Sequence, residues 1–371
     1  MILQQCFTHQ IEPGKLFNIP EQPLNAMLDV TNVCNNKCVY CYNSLPSRTP
    51  AHPDFQLLND IVSLLGSTGT KEILYLGGEP TLHPAFIDLL AVGKSYGLFQ
   101  RLVSNGSRLA GIGFCDQLKA AGINEIGISF HSSDESVHDR ITQRAGSFRE
   151  ALTAIERCCQ SGINAFVQYS PNMLNKKNDI LLLGEMIRQI SGTADLFFDI
   201  NRLLPLGCGE ISSSIFLSGN DWFELLMNAT ELEALNLPVR VELTPFCWLK
   251  AKSVEHKIAD QQLEKISRMN RGCFMWIAQL PLDCHGRIKF CPAGPAVGPS
   301  ILNVSWPDFW LAWEKFTEYR NSFWNDTCID FKHKRACKFF YRCLGGCKYS
   351  IGDQIRIDCL SQALLKSETN Q

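Results

Sequence analysis

The chain has 371 residues, 45% of them hydrophobic and 19% charged, with a formal net charge of -2. These figures fit an ordinary folded chain of two or three domains and exclude a disordered one, and the near balance of charge leaves no basic surplus for nucleic acid or an anionic membrane. The segment from Met1 to Phe17 lacks the basic head, apolar centre and cleavage site of a signal peptide, and no uninterrupted apolar run reaches the roughly 18 residues that span a bilayer, so a reducing cytoplasm is the expected compartment.

After an N-terminal extension (1–23), short apolar runs alternate with longer amphipathic ones. The pattern predicts strands at 24–31, 72–76, 100–104, 125–130, 164–169 and 195–200. Helices are expected near 54–66, 84–96, 114–121, 147–160, 179–190 and 220–235, with Gly66, Gly97, Gly122, Gly162 and Gly192 at the joints. Six strand–helix units in series imply a parallel sheet with right-handed crossovers, either an open barrel or a doubly wound sheet, over residues 24–236. In both architectures chemistry gathers at the carboxyl ends of the strands. The alternation stops at about 237. Residues 237–269 read as a bridging segment, and 270–371, rich in Cys, Trp, Gly and Pro, read as a domain held more by ligands than by a core.

Seventeen cysteines are the anomaly of the composition. A reducing compartment rules out a disulfide framework, and the clustering points to metal. Cys34, Cys38 and Cys41 stand in one loop, "CNNKCVYC", at the carboxyl end of the first strand. Zinc sites pair cysteines and complete the set with a second pair, whereas here the third cysteine is adjacent and no fourth lies nearby. An iron–sulfur cube takes four thiolates, so three leave one iron open for an exchangeable ligand. Tyr40 puts an aromatic ring beside that open corner. The second group comprises Cys273, Cys284, Cys291, Cys328, Cys337, Cys343, Cys347 and Cys359. Cys6, Cys115, Cys158, Cys159, Cys208 and Cys247 read as small hydrophobes or incidental thiols.

The spacing Cys34-x3-Cys38-x2-Cys41 after the first strand resembles the radical S-adenosylmethionine (SAM) superfamily. That resemblance implies a partial (β/α)6 barrel and a 4Fe-4S cluster whose fourth iron is chelated by the cofactor's methionine part, giving a 5′-deoxyadenosyl radical. "GGEP" (Gly77, Gly78, Glu79, Pro80) resembles the stretch that admits the cofactor's amino group. "SNG" (Ser104, Asn105, Gly106) and Ser129 resemble further cofactor contacts. "HDRITQRAGSF" resembles the segment carrying an arginine for the methionine carboxylate, with Arg140 and Arg144 both candidates.

The later cysteines resemble a SPASM domain, a C-terminal cysteine-rich extension with two auxiliary four-iron clusters. By that resemblance Cys273, Cys284, Cys291 and Cys347 hold one cluster and Cys328, Cys337, Cys343 and Cys359 the other; Lys334 stands where the family has a cysteine. One cluster plus a zinc is the alternative. "NRLLPLG" (201–207) resembles a stretch of peptide-maturing members, and Pro292 replaces the aspartate of the sulfatase-oxidising branch. The implied function is oxidative modification of a side chain of a ribosomally made peptide, with flavodoxin or ferredoxin as reductant. Only 23 residues precede the first strand, so leader recognition is expected from a separate protein or by docking on the barrel. The alternatives are a dehydrogenase or epimerase of a small molecule such as a sugar or aminocyclitol, and a zinc-binding module without redox chemistry. Candidate acid–base or hydrogen-donating residues are His131, Tyr169, Asp199 and Cys208.

Overall fold

Alternation of strand and helix begins at Asn25. The computed structural model describes residues 24–43, 51–175, 179–192, 194–204, 213–242, 244, 246–271, 279–289 and 291–305. Strands β1 (Asn25–Thr31), β2 (Glu72–Gly77), β3 (Phe99–Ser104), β4 (Ile123–Ser129), β5 (Asn164–Tyr169) and β6 (Leu196–Ile200) lie side by side in that order, every pair parallel. They are the six strands expected, each within two residues of its predicted bounds. The helices between them are α1 (Phe55–Ser67), α2 (Phe86–Ser95), α3 (Phe114–Ala121), α4 (Glu135–Thr142), α5 (Ser147–Gln160) and α6 (Asp179–Ser191).

Period two divides each strand between two faces. Leu28, Ile73, Leu102, Ile126, Val167 and Phe198 are fully enclosed and form one core with Leu58, Leu89, Leu118, Ile155 and Leu183 of the helices. Each such side chain contributes about 2 kcal/mol of burial. The alternate positions, including Arg101, Glu125, Ser129, Gln168 and Asp199, line the opposite, concave face.

The alternation does not stop at 237. After α7 (Gly219–Ala229), a 3-10 turn (Thr230–Leu235) replaces the last part of the helix expected to reach 235. β7 (Val239–Glu242) then pairs with β6, helices α8 (Phe246–Glu255) and α9 (Asp260–Met269) follow, and β8 (Asn270–Arg271) pairs with β7, both in parallel. β9 (Gln279–Leu282) returns to the far side and pairs in parallel with β1, carrying β10 (Arg287–Lys289) and β11 (Ala296–Ser300) antiparallel beyond it. The full order is β11-β10-β9-β1-β2-β3-β4-β5-β6-β7-β8. Among the described residues its two ends do not pair, which makes the sheet an unclosed barrel. Residues 306–371, with Cys328, Cys337, Cys343, Cys347 and Cys359 of the expected SPASM domain, lie outside the described residues, as do Cys208 and Cys273.

No helix among the described residues is long and apolar enough to cross a membrane.

Candidate active site

The cysteine loop leaves β1 and is anchored by backbone on two sides. The Lys37 and Val39 amides donate to the carbonyls of Thr142 and Ile141, each at 3.0 Å. These carbonyls belong to the last turn of α4, where helix acceptors otherwise lack a partner. The Cys41 amide donates to the Cys38 carbonyl at 3.1 Å, and the Asn36 amide lies 3.4 Å from Cys34 Sγ. Arg144, just beyond α4, donates from Nε to Asn36 Oδ1 at 2.5 Å while its guanidinium also pairs with Glu150. Arg140 is exposed. Of the two candidate arginines, Arg144 is the one that touches the cysteine loop.

The "GGEP" turn packs on the root of that loop. The Gly78 amide donates to the Thr31 carbonyl at 2.7 Å and the Glu79 amide to the Val33 carbonyl at 2.8 Å. A Cβ on Gly77 would stand 2.5 Å from the Thr31 carbonyl oxygen and one on Gly78 2.2 Å from that of Val33. Both glycines are therefore required by close backbone approach, a need separate from the room for a cofactor that the sequence suggests. Glu79 is 1% exposed. Its Oε1 accepts from Thr81 Oγ1 at 2.5 Å and Ser104 Oγ at 2.9 Å, and its Oε2 accepts from the Asn105 amide at 2.7 Å. Burial pushes its pKa up, against the pull of these donors. Glu79 thus clasps the ends of β2 and β3 together. Asn105 reaches on to the cysteine loop: its Nδ2 donates to Asn35 Oδ1 at 2.7 Å and lies 3.9 Å from Cys34 Sγ.

Beyond β4, His131 Nε2 and the Tyr40 hydroxyl are 2.6 Å apart, with the rings edge to face. His131 stacks on His138 of α4 at 5.5 Å between centroids. Burial, then the neighbouring His138, holds the His131 pKa well below its ordinary value; burial pushes His138 down to about 4 despite the pull of Asp139. Both imidazoles are neutral at pH 7. Burial, with negative charge at Cys38 adding, raises Tyr40 well above the usual phenol range.

The remaining candidates are dispersed. Ser129 ends β4 on the concave face, in register with Gln168. Asp199, half-buried on the same face, is in register with Gln168 and Arg240. Tyr169 is fully enclosed on the helix side, and its hydroxyl has no hydrogen-bond partner among the described residues. Burial, then the charge of Asp179, raises its pKa well above normal. Cys284 is buried in the β9–β10 turn with Sγ 3.8 Å from Asn32 Oδ1, so this second-group cysteine lies against the root of the first loop. Cys291 is half-buried just after β10. Cys115 and Cys158 are enclosed between helices, as small hydrophobes are.

Two features of the concave face were missed by sequence reasoning. Arg101 lies between Glu72 at 3.2 Å and Glu125 at 2.5 Å, and its charge also faces the Phe166 ring at 5.5 Å. Phe166 stacks on Phe197 at 4.8 Å, and Arg240 covers the other side of that pair, 3.6 Å from the Phe197 centroid. A row of charge and aromatic rings therefore crosses the barrel from β2 to β7. The second is a buried ion pair between Asp29 and Lys289. A charge at an alternating strand position is the only sequence signal for either.

The Radical SAM superfamily matches residues 28–184. The chain thus carries a radical SAM domain, which runs from β1 into α6. Over 314 residues it is 22% identical to an AdoMet-dependent heme synthase of Methanosarcina barkeri, covering 79% of this chain and 83% of that one. It is also 22% identical to the PqqA peptide cyclase of Gluconobacter oxydans, covering 89% and 87%. Streptococcus suis SuiB, solved bound to its precursor peptide SuiA, superposes with a TM-score of 0.68 at 16% identity over 91% of this chain and 77% of SuiB. At that identity the likeness to SuiB concerns the fold.

Proposed function

We propose that this radical SAM enzyme oxidatively modifies a side chain of a ribosomally synthesised peptide. The observation that carries the reading is the cysteine loop, hung on the end of α4 and touched by Asn105 and Arg144 at the carboxyl edge of the sheet. Its donor set fits an iron–sulfur cluster. Three soft thiols share one loop, and amide donors approach the Cys34 sulfur. Cys34, Cys38 and Cys41 would hold a 4Fe-4S cluster, and Gly77, Gly78, Glu79, Ser104, Asn105, Ser129 and Arg144 would surround SAM beside it. Bound there, the cluster and SAM would supply radical chemistry able to take hydrogen from an unactivated C–H bond.

The chain's own residues orient and enclose. Glu79 joins two strand ends under the loop, Arg144 fixes Asn36, and the Arg101–Phe166–Phe197–Arg240 row fills the barrel below, limiting water. Cys284 and Cys291, beside β1, would be ligands of an auxiliary cluster, which would accept an electron from the substrate or product radical. Cys273, Cys328, Cys337, Cys343, Cys347 and Cys359 would complete two such clusters. A peptide substrate is supported by the fold shared with SuiB and by the likeness to PqqA peptide cyclase. The heme synthase likeness favours a second reading, a small-molecule substrate.

The test is anaerobic reconstitution with SAM, reductant and candidate peptides or small molecules. About twelve irons per chain are expected for three clusters, with 5′-deoxyadenosine formed and a peptide lighter by two hydrogens. An unchanged peptide mass with deuterium uptake would indicate epimerisation instead. Colourless protein loaded with zinc, or turnover of a small molecule with every peptide untouched, would overturn the proposal.

A further inference from the structure

His131 leaves β4 into the space behind the cysteine loop and is 3% exposed, too enclosed to meet a substrate. Its backbone is held from the β5 exit, where Asn175 Nδ2 donates to the His131 carbonyl at 2.8 Å. Asn175 is itself locked, accepting from the Asn172 amide at 2.6 Å and donating to the Ser170 carbonyl at 3.1 Å. One face of the imidazole rests on His138, whose Nδ1 lies 3.1 Å from Ser147 Oγ. The ring edge is left to the Tyr40 hydroxyl, 2.6 Å from Nε2, which the Ser170 side chain also engages. Tyr40 stands between Val39 and Cys41, whose amides are both bonded. Backbone at one end and the hydroxyl at the other therefore define the plane of the Tyr40 ring.

We propose that His131 is a positioning residue for the cofactor: by holding the Tyr40 hydroxyl it fixes the aromatic ring that flanks SAM at the open edge of the cysteine loop. This rests on reading Cys34–Cys41 as the seat of the cluster and SAM. It removes His131 from the acid–base candidates, because an enclosed imidazole engaged with Tyr40 has no route to a substrate proton. It also explains why a polar ring occupies an enclosed position: a buried donor such as the Tyr40 hydroxyl is costly unless paired.

The test uses the reconstituted full chain. Iron content, the SAM dissociation constant by equilibrium dialysis, and the change in the reduced cluster's EPR spectrum on adding SAM are measured for His131→Phe, His131→Gln, Tyr40→Phe and the His131→Phe/Tyr40→Phe pair. Phe keeps the ring volume without the hydrogen bond, and Gln places an amide where Nε2 stood. Iron content is expected to stay at the wild-type level. His131→Phe and Tyr40→Phe should each weaken SAM binding about three- to tenfold, the scale of one lost hydrogen bond. They should broaden the SAM-induced EPR change, the pair should be no worse than Tyr40→Phe alone, and His131→Gln should bind near the wild-type level. Tyr40→Phe reads the same contact from its other partner should His131→Phe fail to reconstitute. Wild-type binding with unaffected variants, or with losses that add in the pair, overturns this assignment alone. A wild-type protein that carries a cluster but takes up no SAM overturns the reading beneath it as well.

Discussion

Asp29 of β1 and Lys289 of β10 form an ion pair 2.8 Å long, with side chains 2% and 1% exposed. The Lys289 ammonium also donates to the Pro292 carbonyl. One contact thus ties the strand that launches the cysteine loop to the hairpin that carries Cys284 and Cys291. Breaking a buried ion pair from one side costs about 3–5 kcal/mol, whereas removing both partners costs far less. Lys289→Met and Asp29→Leu should each lower the denaturation midpoint strongly, and the Asp29→Leu/Lys289→Met pair should recover most of the loss. Equal losses in the singles and the pair would mean the contact does not act as a charge pair.

His138 makes stability depend on acid. Its folded value of about 4 lies below the ordinary 6.5, because burial disfavours the charged ring. Between those values the folded chain binds fewer protons than the unfolded one, so stability is complete above pH 6.5 and drains as pH falls towards 4. The gap corresponds to about 3 kcal/mol. His131, displaced in the same direction, adds to the same trend. Urea midpoints between pH 7.5 and 4.5 should trace this decline, and His138→Phe, whose ring suits a site beside Phe130 and Phe148, should flatten it. An unchanged slope in that variant would place the acid sensitivity elsewhere.

Six strands and the site at their carboxyl ends are legible because each strand sends residues such as Leu102, Ile126 and Val167 into the helix layer at period two. The parts that were not legible are short or lack that pattern. β7 is four residues after Pro238, and β8 is two. β9 contains Pro281, which argues against a strand, yet β10 meets β9 only at Leu282 and the missing N–H costs nothing there. α4 buries only His138, Ile141 and Thr142, too thin an apolar stripe to register, although Asp134 caps it with bonds to the Ser136 and Val137 amides. In the candidate site, the cysteine loop and the "GGEP" and "SNG" turns stand at the ends of β1, β2 and β3, where the sequence places them. The clasp made by Glu79 depends on donors from β3, and such pairings across the sheet leave no local trace.

Gly127 of β4 is set by the Phe166 ring. A Cβ there would lie 2.3 Å from Phe166 Cζ. The ring has little room to retreat, stacked as it is within 10° of parallel on Phe197 and faced by Arg101. Gly127→Ala should therefore destabilise by about 1–3 kcal/mol through overpacking. Adding Phe166→Leu, which shortens the obstructing group, should restore part of it. Thermal unfolding of the two proteins decides this: a Gly127→Ala chain as stable as the wild type would show that the row is slack.

Arg144 and Arg140 separate by position. Arg140 points outward from α4, whereas Arg144 bridges Asn36 of the cysteine loop and Glu150 of α5. A charge-assisted bond to the loop is among the stronger kind, and its loss frees the segment between Cys34 and Cys38. Arg144→Ala should lower 5′-deoxyadenosine formation about tenfold, against less than about twofold for Arg140→Ala. Arg144→Lys should rescue poorly, since a point-like ammonium cannot serve Asn36 and Glu150 with one planar fork. Rates on reconstituted protein with matched iron content make the comparison. Equal defects at the two positions would show that charge near the loop matters and that the bridge to Asn36 does not.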